Sequence, residues 1–210
     1  MLNKIFRGAY LKRLDNIKQW QEMDVFKEES VSQHSYKVGI FCRILLEDIF
    51  GENENVKVLK FKLGCMDRAL LHDWDEALIL RDMSHEVKYN TFNGEKIREV
   101  LDELSSHKAS SEFKEWDNQY NVPTASSNLL ILNICRPDED VKKFVKLCDW
   151  IALWFYIVRE QDLGNKNLEE QYKRTAENFY KVAREVKSML KLKFEEFTLN
   201  FKELDTYLIE

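Results

Sequence analysis

Proline and glycine are scarce, at 2 and 6 among 210 residues. So few turn-makers leave long stretches of the chain available for helix. The 4 cysteines, Cys42, Cys65, Cys135 and Cys148, lie far apart in apolar or helical contexts and form no C-x-x-C pair. They read as reduced, buried thiols of a cytosolic protein. Charge of one sign is not concentrated anywhere. The formal net charge of -5 is spread over mixed acids and bases, without the basic stripe that duplex nucleic acid requires. A nucleotide remains admissible, because a small anion needs only a local site. No apolar run is long enough for a bilayer: the longest, 147–158, is too short and contains Asp149. The first ten residues mix Lys4, Arg7 and Gly8 with apolar residues and lack the core of a signal peptide. These absences predict a cytoplasmic protein with no membrane partner.

What is present is helical periodicity nearly throughout. A hydrophobic content of 44% over this length suffices for a core without staples. With no repeat, low-complexity tract or flexible linker, residues 1–210 are expected to form one domain. The spacing predicts a helix over 2–20. A second begins near Ser30, where Ser30 and Gln33 have capping-box spacing, and runs to Phe50, before Gly51. A third covers 56–80, and a polar loop follows over 81–90. Shorter helices are expected at 94–104 and 110–119, a connection at 121–127, and a further helix from Asn128. Pro137 opens a long helix to Glu160, and Gly164 and Asn165 mark a turn. One or two amphipathic helices occupy 168–208. No alternating strand pattern appears, so the fold class is all-α.

Three places carry candidate chemistry. His34 shares a helix face with Val38, Phe41 and Leu45, so it points inward; such a histidine is either a satisfied core residue or a ligand. His72 and Asp73 follow the apolar Ala69, Leu70 and Leu71, with Glu76 one turn beyond His72. A borderline divalent cation accepts imidazole nitrogen and carboxylate oxygen together. Asp149 is the one polar residue of the run 147–158. A helix that is apolar all round lies inside the protein, where an uncompensated carboxylate costs several kcal/mol. Asp149 is therefore paired with Arg or Lys, hydrogen-bonded at a cap, or bound to metal. The four potential ligands come from three predicted helices, which is how helical bundles build metal sites.

The order His34, His72-Asp73, Asp149 resembles the H…HD…D signature of the HD phosphohydrolase superfamily. The blocks Arg13-Leu14 with Trp20, Glu29 to Ser35, His72 to Glu76 followed by Asp82, Val87 and Lys88, and Lys146 to Asp149 are most similar to the bacterial 5′-deoxynucleotidase branch. That resemblance covers about residues 10–160. It implies a compact helical bundle of the HD type, a homodimer, and one divalent metal ion (Co, Mn, Mg or Zn) held by His34, His72, Asp73 and Asp149. It also implies that Glu76 orients or deprotonates the attacking water and that Asp82 assists the leaving group. Gln19, Trp20 and Lys88 would contact the nucleotide substrate, Trp20 pressing on the deoxyribose. Outside the motif, Glu76, Asp82 and Lys88 read as ordinary surface residues and Trp20 as a core aromatic. His85 and His107 read as exposed.

Two departures from that branch fall where substrate is expected. Gln19 stands where the branch has arginine, and Met83, Ser84, His85 and Glu86 replace its proline-rich loop. The leading expectation is hydrolysis of a deoxynucleoside 5′-monophosphate. The departures keep open a deoxynucleoside triphosphate triphosphohydrolase, with dATP selectivity as one form. A degenerate HD module that binds nucleotide for regulation is a third reading, and the presence of all six metal and acid–base residues weighs against it.

Overall fold

A computed structural model describes residues 13–19, 23–73, 76, 96, 100 and 138–206. Among these are five helices: α1 (Val31–Phe50), α2 (Val56–Leu70), α3 (Glu139–Asp162), α4 (Glu169–Lys193) and the short α5 (Lys202–Thr206). The all-α expectation holds. The only extended pairing among the described residues is an isolated antiparallel bridge between Lys18 and Ser30. None of the described helices is long and apolar enough to cross a membrane.

Chain packing divides the protein into two compact units that interleave in sequence. The first comprises 1–24, 28–35 and 71–137; the second comprises 25–27, 36–70 and 138–210. In the first unit the expected helix over 2–20 stops early. Arg13 and Leu14 are helical, but the chain turns at Asp15 and Asn16. Gln19 N–H donates to Glu29 carbonyl oxygen at 2.7 Å, and Val31 N–H to Ile17 carbonyl oxygen at 2.9 Å. These bonds between separate segments take the backbone groups that further helix would have used. They also bring Leu14, Ile17 and Val31 together as a small buried cluster.

The capping box forms as its spacing predicts. Gln33 N–H donates to Ser30 Oγ at 3.2 Å, and Ser30 N–H donates to Gln33 Oε1 at 3.0 Å. At the other end of α1, Gly51 takes a left-handed φ of 55° and donates to Glu47 carbonyl oxygen at 2.8 Å. A side chain would strain that conformation.

The second unit holds the main core. Helix α3 packs against both α2 and α4. Phe50, Phe61, Phe144 and Phe194 meet edge to face, with ring centroids 5.0–5.9 Å apart. Asp138 caps α3 by accepting from Asp140 N–H at 2.8 Å. The long helix expected after Pro137 is α3, and the one or two amphipathic helices expected over 168–208 are the long α4 and the five-residue α5.

The third predicted helix needs correction. It ends at Leu70, residues 71–73 form a turn, and Glu76 is again helical. His72 and Glu76 are therefore not successive turns of one regular helix. Neighbours on such a helix diverge by about 100°. The interruption instead lets the adjacent His72 and Asp73 side chains meet, with Nε2 and Oδ2 2.9 Å apart.

Candidate metal centre

His34 is the fourth residue of α1 and is only 2% exposed. The capping box sets the helix phase so that His34 shares its inward side with Val38, Cys42 and Leu45, all buried. The His34 and His72 rings lie with centroids 5.4 Å apart and planes inclined at 57°. Glu76 N–H donates to Asp73 carbonyl oxygen at 3.0 Å, and the Glu76 side chain is fully buried. One carboxylate is thus tied through a single turn to the His72-Asp73 pair.

Asp149 lies in α3 between Cys148 and Trp150 and is buried. Of the alternatives its sequence context allows, the ion pair is present: Lys146 Nζ donates to Asp149 Oδ2 at 2.6 Å, one helical turn away. The ammonium also sits over the Trp150 ring, 4.7 Å from its centroid. Donors for the metal alternative are present beside the ion pair. One ligand atom each from His34, His72 and Asp149 lie within 4.8 Å of one another.

These donors fit a divalent ion. Atoms bound at about 2.1 Å to one ion are at most about 4.2 Å apart, and about 3 Å apart when they subtend a right angle. Spacings within 4.8 Å need only a small closing movement. Two imidazoles with carboxylate oxygen suit borderline cations such as zinc or cobalt more than calcium. A carboxylate offers two oxygens and about four lone-pair positions, so Asp149 can accept Lys146 and a cation together.

Gln19 is buried, and its Oε1 meets no hydrogen-bond partner among the described residues. Trp20, Asp82, Lys88, His85 and His107 lie outside the described residues.

Sequence reading passed over Glu160, treating it only as the end of a helix. Its carboxylate is buried and accepts from Phe26 N–H at 2.7 Å, Lys27 N–H at 2.8 Å and Asn165 Nδ2 at 2.9 Å. Tyr156 Oη donates to Lys27 carbonyl oxygen at 2.7 Å, fastening the same short segment. Burial pushes the Glu160 carboxyl up, but these donors and Arg159 together outweigh it and hold the group below its ordinary value. The available signal was its position one turn beyond Tyr156, with Asn165 in the following turn.

Solved structures share the fold. An HD-domain phosphohydrolase of Listeria innocua has a TM-score of 0.61 at 21% identity, covering 100% of this chain and 90% of its own. The PH0347 protein of Pyrococcus horikoshii OT3 has a TM-score of 0.58 at 19% identity, covering 100% and 99%. At such identities the likeness speaks for the fold alone. No curated protein is significantly similar to the chain. With this helical fold, this donor set and a matching family, the protein is a metal-dependent phosphohydrolase of the HD type. The family is particular: the model of the 5′-deoxynucleotidase YfbR-like proteins matches residues 7–197, and the chain belongs to that family.

Proposed function

We propose that the protein hydrolyses the 5′-phosphate ester of deoxynucleoside 5′-monophosphates to deoxynucleoside and phosphate. The observation that carries this reading is the approach of His34, His72 and Asp149 donor atoms to within 4.8 Å in a member of the 5′-deoxynucleotidase YfbR-like family. Asp73, whose Oδ2 touches His72 Nε2 at 2.9 Å, completes the ligand set. When bound, a divalent ion lowers the pKa of a coordinated water and neutralises phosphoryl oxygens.

The protein's own groups do the rest. Glu76, buried beside the His72-Asp73 turn, holds the attacking water through a carboxylate oxygen and takes its proton. Asp82 serves the leaving 5′-oxygen. Trp20 covers the deoxyribose and disfavours a 2′-hydroxyl, while Gln19 and Lys88 face the phosphate. These four roles rest on family membership. So do a homodimer, checked by light scattering, and a cytoplasmic location.

Gln19 favours one second reading. A buried amide lacks the fixed charge and fork with which arginine grips a monophosphate. That change suits a triphosphohydrolase, which grips a longer phosphate chain elsewhere. A panel of dNMP, NMP and dNTP with Co²⁺, Mn²⁺, Mg²⁺ and Zn²⁺, resolved by chromatography, decides between them. Phosphate released from dNMP supports the proposal, and triphosphate released from dNTP replaces it. No hydrolysis with any metal leaves only a nucleotide-binding module.

A further inference from the structure

Just ahead of α1 the chain leaves and returns at a narrow neck. Lys18 and Ser30 pair antiparallel, with Gln19 N–H donating to Glu29 carbonyl oxygen and Val31 N–H to Ile17 carbonyl oxygen. The returning limb is fastened to α3 at two successive residues. Glu160 accepts from Phe26 N–H through Oε2 at 2.7 Å and from Lys27 N–H through Oε1 at 2.8 Å. Tyr156 Oη, one turn earlier, takes the Lys27 carbonyl oxygen at 2.7 Å. Asn165 steadies the carboxylate from the other side, its Nδ2 donating to Oε2 and its N–H to the Glu160 carbonyl oxygen, both at 2.9 Å. Phe26 is 64% exposed and Lys27 is exposed as well. Charge-assisted hydrogen bonds, and not burial of these two side chains, therefore hold the limb here.

The two sides of the neck are secured differently. On the Ser30 side the capping box and the bond from His34 N–H to Ser30 carbonyl oxygen, at 3.0 Å, lock the backbone into α1. On the Gln19 side the chain has already turned out of helix at Asp15 and Asn16, and the neck bonds hold its backbone. Gln19 is buried, and its Oε1 meets no hydrogen-bond partner among the described residues. The backbone at the neck is thus what places this side chain.

We propose that Glu160 is a positioning residue for the nucleotide: by clasping Phe26 and Lys27 to α3 it fixes the returning limb, and through the neck the backbone that presents Gln19 to substrate. This rests on the reading of Gln19 as a phosphate contact. The metal donors stand apart from the linkage. His34 is set by α1, and Asp149 lies about three turns before Glu160 on α3. Loss of the clasp is therefore felt in nucleotide affinity and not in metal binding.

The experiment compares Glu160→Gln with the parent, both as full chains loaded with the divalent ion that best supports turnover, at neutral pH and well below melting. The amide keeps the volume but offers one acceptor oxygen to two backbone donors. KM for the dNMP is expected to rise about five- to tenfold, with kcat and metal affinity within about twofold of the parent. Hydrogen exchange at the Gln19 amide should quicken while that at His34 stays unchanged. Tyr156→Phe removes only the bond to Lys27 carbonyl oxygen, so it should move KM the same way by a smaller factor. It carries the test alone should Glu160→Gln not fold. Where the parent hydrolyses no dNMP, the reaction assignment falls, and nucleotide Kd from equilibrium dialysis replaces KM. An unchanged KM or Kd in the folded variants overturns the clasp, as does a fall in kcat or metal affinity at constant KM. A parent that binds no nucleotide overturns both.

Discussion

Lys146 Nζ lies 2.6 Å from Asp149 Oδ2, one turn earlier on α3, so the buried carboxylate already has a cationic neighbour. A divalent ion at Asp149 must share it. Lys146→Met is expected to strengthen metal affinity severalfold by removing a like charge, since a partly exposed pair is worth at most about 1 kcal/mol. Titration against a metal buffer measures it. Weaker metal binding in Lys146→Met would show that the ammonium positions the carboxylate instead of competing for it.

Asp149→Ala should abolish bound metal and activity while circular dichroism remains helical. The purified variant is assayed for metal content. Unchanged content removes Asp149 from the ligand set, whatever its effect on turnover. Some loss of stability is expected as well, because Lys146 is left without its 2.6 Å partner.

Glu76→Gln tests the carboxylate beside the His72-Asp73 turn. The amide keeps the buried volume, so metal and nucleotide should still bind. A general acid–base group typically contributes ~10²–10⁴-fold to turnover, and kcat should fall by that order. A loss below about tenfold would take Glu76 out of the proton transfer.

Gln19 and Trp20 test the substrate. Trp20→Ala should narrow the kcat/KM difference between deoxyribo- and ribonucleotides, chiefly by admitting the ribonucleotide. Gln19→Arg places a guanidinium at a buried position, so the free protein should melt lower. Added dNMP should restore stability more than in the parent if phosphate lies there. If neither sugar discrimination nor ligand-induced melting shifts, substrate binds elsewhere and only the metal-dependent HD assignment remains.

Glu160 supplies a pH dependence. Its folded pKa is depressed, so it stabilises the fold above its unfolded value of about 4.3, and this is lost as pH falls through the folded value. Glu160→Gln should cost about 1–3 kcal/mol at neutral pH through weakened bonds to Phe26 and Lys27. The gap from the parent should close on acidification below pH 4, as followed by urea titration. A gap independent of pH would assign the cost to packing alone.

Much of the fold and part of the site were legible in the sequence. The Ser30–Gln33 box, the Gly51 stop, the limits of α3 and the start of α4 are local matters of hydrogen bonding and turn conformation, and they appear where predicted. The convergence of His34, His72 and Asp149 was readable because a polar residue on an inward face must have a reason to be there. The break at 71–73 was not readable, since the apolar approach through Ala69 to Leu71 continues the helical pattern without interruption. The early end of the first helix was hidden in the same way, by bonds to residues ten or more positions later.

The sequence alone determined the helical class, the helix caps and the presence of a buried acid at Asp149, because periodicity and capping act over three or four residues. Tertiary structure decided which alternatives were realised. It paired Asp149 with Lys146 and also brought it to the histidines, turned His72 toward Asp73, and tied Glu160 to Phe26 and Lys27. The contacts of Asp149 with the histidines and of Glu160 with Phe26 and Lys27 join groups scores of residues apart, and their partners are chosen by packing of whole helices, which no local spacing encodes.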